Sequence, residues 1–468
     1  MKSRIAAAVY LLAFAALAGD YTVSNVRIRQ RWPWDKKVDI NFDLVAAAPA
    51  DVTFRFFDGD RELSIPSTAL SGDIYGVSTG ARRIVLDPEK TEYASETFLS
   101  FHAEIAASES PLYLIADLEK EAGAEGQLTC VTKSDLDAGL YGACVTNPVA
   151  GVSSLVWTDV TNDIYKTTKL VFRRVNPGSF KTGGCGYRFS GSNWLVPSAN
   201  PAVNTAKITQ PYYLGVFQLT QAQSTTLGIG NVSRNKADEK LPAEYRTYEE
   251  FRGVTADADW PTTGYAVANS AKLKSARDKL GLLVDLPTDM QWEYACRAGT
   301  TTIWSDNVVR DFDTVGQSAG TTVIGAAVTA FNNDVEQFAR LNSAETDVVG
   351  SHVPNAWGFY DMHGNVMEWC LDWAPAGRTS ATLANVDYDT SIQMFRVDST
   401  DYAGCASGTT RVLHGGAYNS QGYASTVAFR SSAAPSTKNG MYGVRLVCFP
   451  KGVTPVVGDI TPDVTSGE

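Results

Sequence analysis

The stretch DMHGNVMEW, Asp361–Trp369, brings several oxygen-bearing groups together in one short run of sequence. Its two carboxylates, Asp361 and Glu368, flank a glycine, Gly364, and an amide, Asn365. Such a run is too polar for an ordinary core strand. Carboxylates are hard oxygen ligands, and a glycine frees the backbone to aim its carbonyl oxygens, so the pattern suits Ca²⁺. We therefore expect a structural calcium site; the alternative is a hydrogen-bonded turn without a metal.

The seven cysteines have no metal-binding spacing of their own. Neither a CxxC pair nor a Cys/His cluster occurs, so a zinc site is not expected. Cys130 and Cys144 are close in sequence and are candidates for one disulfide; the alternative is that all the cysteines are buried and reduced. Cys296 falls on one apolar helical face with Trp292, so we expect it in the core.

Other catalytic patterns are missing from the sequence. It contains four histidines, at 102, 352, 363 and 414, and none has the spacing of a non-haem iron site. A GxSxG elbow and a phosphate-binding P-loop are also absent.

Residues 1–18, MKSRIAAAVYLLAFAALA, have a basic start, an apolar run and a small-x-small end. This is the pattern of a cleaved secretory signal peptide, and the apolar run is shorter than the roughly 18 residues of a membrane-spanning helix. We expect export to the periplasm, the cell surface or the medium, without a membrane span. The formal charge of −11 makes nucleic acid an unexpected partner.

The first part of the chain alternates apolar and polar residues with period two. Stretches of this kind, with turn signals between them, are Val38–Leu44, Val52–Asp60, Arg82–Asp87, Phe98–Ile105 and Leu112–Leu118. They predict an antiparallel β-sandwich of immunoglobulin or fibronectin type over residues 21–118.

The remaining organisation is inferred from composition and helix signals. We expect a linker over 119–166, a second domain over 167–450 and a flexible tail over 451–468. The clearest element of the second domain is a helix beginning after Thr288, where Gln291 can complete a capping box.

The second domain resembles the formylglycine-generating-enzyme, or sulfatase-modifying-factor, family. The matching pieces, in the family's order, are VNPGSF, YYLGVFQLTQAQ, LPTDMQWEYACRAGT, NAWGFYDMHGNVMEWCLDW, RVLHGGAY and GVRLV. The resemblance implies an irregular mixed α/β fold related to C-type lectins. The expected fold class is therefore α+β, with the N-terminal sandwich followed by this domain.

The resemblance also implies a ligand set for the calcium site. By position, the ligands would be the side chain of Asp361, the carbonyl oxygens of Gly364 and Val366, and the side chain of Glu368.

In the family's catalytic members, two cysteines after the Gly-Gly strand bind copper, and dioxygen oxidises a substrate cysteine to formylglycine. Counting from the Gly-Gly pair places these positions at Ser420 and Ser425, with Ala424 as the alternative for the second. No cysteine occurs in residues 406–447. Serine is a hard ligand and does not replace a thiolate for Cu(I), so we expect neither copper nor these catalytic residues.

The segment Ala417–Tyr442 is rich in Ser, Asn, Gly, Tyr and Thr, a composition typical of recognition loops. We expect a binding face here; the alternative is a solvated loop. The side chains assigned to this face are Tyr418, Asn419, Ser420, Gln421, Tyr423 and Arg430.

The functional expectation is an exported, catalytically degenerate member of this family that acts as a lectin-like binding or structural module. Its ligand would be a protein or a glycan. The alternative is a metal-dependent oxidase that converts a protein cysteine to formylglycine.

Overall fold

The computed structural model describes residues 21–31, 35–146, 149, 154–182, 188–190, 193–195, 204–254, 256–302, 304–307, 322–323, 335–374, 399–420, 422–449 and 455–460. The expected signal peptide and Gln421 lie outside these residues. The chain divides into two compact units: the first runs to Pro111 and includes Pro450–Val456, and the second comprises Leu112–Phe449 and the residues from Val457 onward. None of the helices in the described part is long and apolar enough to cross a membrane.

The first unit is an antiparallel β-sandwich. Its strands are β1 (Tyr21–Gln30), β2 (Val38–Ala46), β3 (Ala50–Asp58), β4 (Arg61–Leu63), β5 (Leu70–Gly72), β6 (Gly80–Leu86) and β7 (Phe101–Glu109). They form a four-stranded sheet, β1-β2-β6-β5, and a three-stranded sheet, β4-β3-β7, which share one apolar core. In β2, Val38, Ile40 and Phe42 are buried while Asn41 is exposed, which confirms the predicted alternation.

The boundary of the sandwich lies earlier than the sequence analysis predicted. The stretch Leu112–Leu118 belongs to the second unit, where β8 (Tyr113–Asp117) pairs with β9 (Leu128–Val131) and with β12 (Lys169–Val175). Four consecutive residues of β8 are buried. Burial on both faces is typical of a central strand and not of a sandwich strand with one wet face.

The second unit contains the remaining strands and all five α-helices among the described residues. The strands are β10 (Cys144–Thr146), β11 (Leu155–Trp157), β13 (Gly178–Thr182), β14 (Arg188–Ser190), β15 (Asn193–Leu195), β16 (Asn204–Ile208), β17 (Tyr212–Gly215), β18 (Val284–Asp285), β19 (Thr322–Val323), β20 (Met367–Trp373), β21 (Ser399–Thr400), β22 (Arg411–His414), β23 (Ser431–Ala433), β24 (Tyr442–Gly443) and β25 (Val447–Cys448). The helices are α1 (Lys133–Asp137), α2 (Gln221–Thr226), α3 (Tyr248–Arg252), α4 (Lys272–Leu280) and α5 (Asp289–Arg297).

Two sheets of this unit position the candidate site. A six-stranded sheet has the order β18-β25-β17-β12-β8-β9, and a four-stranded sheet has the order β23-β22-β20-β24. Helix α5 begins after Thr288, whose side chain forms a capping box with Gln291 as predicted. The short, irregular elements confirm the expected α+β class.

Two segments predicted to lie outside the domains are folded where the structure describes them. The predicted linker, 119–166, contains β9, α1, β10 and β11, and Trp157 within it is fully buried. In the predicted tail, Asp459 exchanges backbone hydrogen bonds with Thr400 and Ala403. Val457 packs on the main core. Buried apolar side chains and paired backbone groups hold both segments, so neither is a free linker or tail in its described part.

Candidate functional site

The turn before β20 requires an unusual backbone at Gly364. Its φ is 96°, and Asp361 and Asn365 also have positive φ, of 55° and 63°. A Cβ at Gly364 would lie 2.2 Å from the carbonyl oxygen of Arg340. Only glycine combines this conformation with so close an approach to a neighbouring backbone.

The four residues predicted as calcium ligands surround one side-chain nitrogen, Nε2 of Gln218. The distances from this nitrogen are 2.9 Å to Val366 O, 3.0 Å to Glu368 Oε1, 3.2 Å to Asp361 O and 3.3 Å to Gly364 O. Asp361 takes part through its carbonyl oxygen, because its side-chain Oδ2 accepts a hydrogen bond from Gly350 N at 2.7 Å. The sequence therefore identified residues that do come together, although around an atom that it did not identify.

Arg445 neutralises the carboxylate of this group. Its Nε lies 3.0 Å from Glu368 Oε2, and its Nη2 lies 2.8 Å from Glu368 Oε1. Its remaining N–H groups donate to the carbonyl oxygens of Gly215, Val216 and Tyr360, at 3.0, 2.9 and 2.8 Å. Arg445 and Glu368 are both fully buried. Such a pair is stable only when its other donors and acceptors are satisfied, as they are here.

These contacts do not fit a calcium ion at the predicted position. Calcium takes about six to eight oxygen ligands and needs negative charge that is not already paired. The centre of the oxygen group holds the Gln218 nitrogen, and the charge of Glu368 is balanced by Arg445. Burial raises the pKa of Asp361, which favours its neutral form. Across the described residues, no three His, Cys, Asp or Glu side chains are arranged to hold a metal.

A second buried charge network lies between α5 and β22. Arg430 Nε lies 2.8 Å from Asp289 Oδ1, and its Nη2 lies 2.5 Å from Glu293 Oε2. His414 Nε2 also contacts Asp289 Oδ1. Burial raises the pKa of Asp289, but Arg430 and then His414 outweigh it and lower this pKa to about 2. The pKa of Glu293 is also lowered, because Arg297 and Arg430 outweigh its burial. Both carboxylates are therefore ionised and paired.

Trp292 joins the two networks. Its ring stacks on His414 with centroids 4.3 Å apart and planes 9° apart. Its Nε1 donates to Glu368 Oε2 at 2.6 Å. Through Trp292, the two buried polar networks are thus linked from Gln218 to Glu293.

The two serines at the expected cysteine positions are engaged with the backbone. Ser425 is fully buried, and its hydroxyl donates to Gly422 O at 2.8 Å. Ser420 is half-buried, and its Oγ accepts from Ala417 N at 2.9 Å. His363 Nδ1 lies 2.6 Å from the carbonyl oxygen of Ser425, so this histidine is hydrogen-bonded to the backbone at Ser425.

The predicted binding face is smaller than its composition suggested. Asn419 is exposed, and Tyr418 and Ser420 are half-buried. Arg430 was assigned wrongly, because it is buried and paired with Asp289 and Glu293. Most of Ala424–Ala433 is also buried. The side chain of Tyr423 and all of Gln421 lie outside the described residues.

The cysteine predictions have different outcomes. Cys296 is fully buried, and burial raises the pKa of its thiol well above its usual value, which confirms its place in the core. Cys130 and Cys144 are not joined in the structure.

Sequence reasoning missed Gln218 and Arg445. Both lie in pieces that carried the resemblance, YYLGVFQLTQAQ and GVRLV, and each has an apolar residue directly on either side. A polar residue between two apolar neighbours was the available signal, and in the structure both side chains are fully buried.

Comparison with known proteins identifies a family for most of the second unit. Residues 163–449 match the family model described as "Sulfatase-modifying factor enzyme 1-like domain". The chain belongs to the sulfatase-modifying factor family. A formylglycine-generating enzyme of Streptomyces coelicolor is 31% identical to this member over 171 residues, which are 34% of the chain and 45% of the relative. A serine/threonine-protein kinase, pkn1, of Chlamydia pneumoniae is 29% identical over 161 residues, 34% of the chain and 20% of the relative.

This family member spans less than half the length of either of those relatives. Among solved structures, the Treponema denticola variable protein 1 matches 66% of the chain and 99% of its own length. That match has 20% identity and a TM-score of 0.40.

Proposed function

We propose that this sulfatase-modifying factor family member does not oxidise cysteine to formylglycine, and that it serves as an exported binding or structural module. The observation that carries the proposal is the state of Ser420 and Ser425, which stand where the resemblance places the copper-binding cysteines. Both side chains carry a hydroxyl instead of a thiol, and both hydroxyls are hydrogen-bonded to nearby backbone groups.

The chemistry of the ligand atoms supports this proposal. Cu(I) selects soft thiolate sulfur, and the hydroxyl of serine is neither soft nor readily ionised. Burial raises the pKa of the Cys296, Cys370 and Cys448 thiols well above the usual value, so these cysteines stay protonated. A protonated thiol is a poor metal ligand.

A copper competition measurement tests the loss of the metal site. The purified protein is titrated with Cu(I) in the presence of a chromogenic Cu(I) chelator. We expect the wild type to leave the copper with the chelator, and the Ser420→Cys/Ser425→Cys double variant to withdraw it. Stoichiometric copper withdrawn by the wild type would contradict the proposal.

The proposed binding face lies on two loops that are hydrogen-bonded to each other. Ser343 N donates to Tyr418 O at 2.7 Å, and Asn342 N donates to Ser420 O at 3.1 Å. On these loops Asn342 and Asn419 are exposed, and Tyr418, next to Asn419 in sequence, is half-buried. Amide groups beside a tyrosine on a fixed backbone suit a hydroxyl-rich glycan or a polar protein surface.

A glycan array provides the test of this face. The wild type is compared with a Tyr418→Ala/Asn419→Ala variant and with a control variant, Thr301→Ala, at an exposed position outside the segment Ala417–Tyr442. We expect the double variant to lose glycan binding and the control to keep it. Equal binding by both variants would place the ligand elsewhere on the domain.

Export is the remaining part of the proposal and is supported by the sequence of residues 1–18. The mass of the protein recovered from the cell envelope or the medium tests it. A mass that lacks about the first 18 residues is expected; a full-length protein retained in the cytoplasm would contradict export.

A further inference from the structure

Four oxygen atoms in the second unit converge on a single point, which is the arrangement that proteins usually build around a cation. The point is Nε2 of Gln218, at 2.9–3.3 Å from three carbonyl oxygens and from Glu368 Oε1. Gln218 is fully buried, so its amide is shielded from bulk solvent. An amide nitrogen carries two protons, so it balances only part of this concentration of negative oxygen.

The four surrounding oxygen atoms explain why the Gln218 amide presents its nitrogen, and not its oxygen, to them. Its Oε1 is buried and has no hydrogen-bond partner among the described residues. Turning the amide over would place Oε1 against the same four oxygens, and only a cation between them would make that arrangement stable. With the nitrogen facing inward, the amide donates to the four oxygens and leaves only its own Oε1 unpaired. This costs less free energy than five oxygen atoms facing one another.

Arg445 supplies the rest of the positive charge at this point. Its Nη2 donates to Glu368 Oε1 at 2.8 Å and lies 3.4 Å from Asp361 O. Both oxygens are also contacted by Gln218 Nε2. A metal ion in place of the amide nitrogen would therefore share two of its ligands with a guanidinium, and the two positive charges would repel each other at short range.

We propose that the side-chain N–H groups of Gln218 and Arg445 hold this turn in place of a metal ion, so that the conformation of the turn does not depend on calcium. The oxygen cage, defined as the carbonyl oxygens of Asp361, Gly364 and Val366 with Glu368 Oε1, remains a latent cation site. Replacing the Gln218 amide by a carboxylate would allow the oxygen cage to bind a cation. This inference does not depend on whether the protein oxidises cysteine.

Thermal unfolding of the wild type is the first test. The Tm of the full chain is measured in excess CaCl₂ and in EDTA. The proposal predicts the same Tm in both, because the oxygen cage does not gain calcium. A higher Tm in calcium that the Gln218→Met variant abolishes would overturn it, because the Gln218 amide would then have turned over to give the ion a fifth oxygen.

The Gln218→Glu variant tests whether the cage is a cation site. In EDTA its Tm should fall, because a carboxylate would face four oxygens; calcium at about 100 times its dissociation constant should restore several degrees. Tb³⁺ should bind in the same place and luminesce on tryptophan excitation, since Trp292 Nε1 contacts Glu368. A Gln218→Glu variant without this response would overturn the proposal.

A matched control is Gln127→Glu. Gln127 is also a buried amide, but its Nε2 donates to one carbonyl oxygen, that of Leu280, at 3.0 Å. This variant should lose stability without any response to calcium or Tb³⁺. A response as large as that of Gln218→Glu would assign the effect to surface carboxylates and overturn the proposal.

The Gln218→Met variant keeps the side-chain volume and removes the donor. It should have a lower Tm than the wild type, with no difference between calcium and EDTA, which keeps the inference testable even if Gln218→Glu fails to fold. An unchanged Tm would show that the amide does not hold the turn.

Discussion

The replacement Arg430→Met distinguishes a buried ion-pair residue from a binding-face residue. In the structure, Arg430 contacts Asp289 and Glu293, and all three side chains are buried. Methionine keeps much of the apolar volume but leaves both carboxylates without this partner. If Arg430 instead served ligand binding at the surface, its replacement would change stability by no more than about 0.5 kcal/mol.

The expected loss of stability in Arg430→Met follows from the pairing of Asp289 and Glu293 with Arg430. Arg430 and His414, acting against burial, lower the pKa of Asp289 from 3.8 to about 2. At 1.36 kcal/mol per pKa unit, this net shift corresponds to about 2–3 kcal/mol of stability at neutral pH. Glu293 loses the same partner, although Arg297 remains. Removing one partner from a buried ionic group costs about 3–5 kcal/mol, and we expect Arg430→Met to fall in that range.

Urea unfolding followed by tryptophan emission measures this loss, because most of the ten tryptophans lie in the second unit. The control is Arg340→Met, since Arg340 is about one-third exposed and its carboxylate contact is 3.8 Å long. The control should stay within about 0.5 kcal/mol of the wild type.

The pH dependence of the Arg430→Met loss gives a second, independent check. The pKa values of Asp289 and Glu293 are both lowered in the fold. A lowered carboxyl pKa contributes stability above the unfolded-state value of about 4, and this stability is lost as the pH falls through the folded value. The difference between variant and wild type should therefore shrink as the pH falls from about 6 towards 3. A loss below about 1 kcal/mol, or one that is the same at both pH values, would refute the reasoning.

Three further predictions follow from the same interior. Gly364→Ala should destabilise the second unit by more than about 2 kcal/mol in urea unfolding, because a Cβ there meets a backbone oxygen at 2.2 Å and φ is positive; a loss below about 0.5 kcal/mol would show that the turn can move. Trp292→Phe should cost about 2–4 kcal/mol, because Glu368 loses a hydrogen bond at 2.6 Å and volume is lost; an unchanged urea midpoint would argue against the link between the networks. Iodoacetamide should label exposed Cys130 and spare Cys448 in the native protein; labelling of both at similar rates, read by peptide mass spectrometry, would contradict the burial.

Local sequence patterns predicted the parts of the fold that depend on interactions between residues close in sequence. The alternation of Val38–Leu44 predicted a strand with one buried face, because side chains alternate along a strand. The capping pair Thr288 and Gln291 predicted the start of α5, because both partners lie in the first turn. The specific run DMHGNVMEW also brought its predicted residues to one place, because they share one turn.

The remaining features depend on partners that are distant in sequence. Gln218 and Arg445 reach Glu368 from 150 and 77 residues away, so the motif alone could not indicate that nitrogen donors fill its centre. Arg430 was assigned to the surface because its segment is rich in Ser, Asn, Gly, Tyr and Thr, while its two carboxylate partners lie on α5. The stretch Leu112–Leu118 followed a series of strands, and only its pairing with β12 assigns it to the second unit.

The central claim is that this member of the family lacks cysteine oxidase chemistry, and peptide mass spectrometry tests it most directly. The full chain is incubated with Cu(I), dioxygen and a peptide that contains the sulfatase Cys-x-Pro-x-Arg motif, beside a family enzyme that carries both cysteines. We predict that the peptide cysteine stays intact with this protein while the control enzyme converts it to the aldehyde. Aldehyde formed by this protein would contradict the claim, and would mean that ligands other than Ser420 and Ser425 hold the copper.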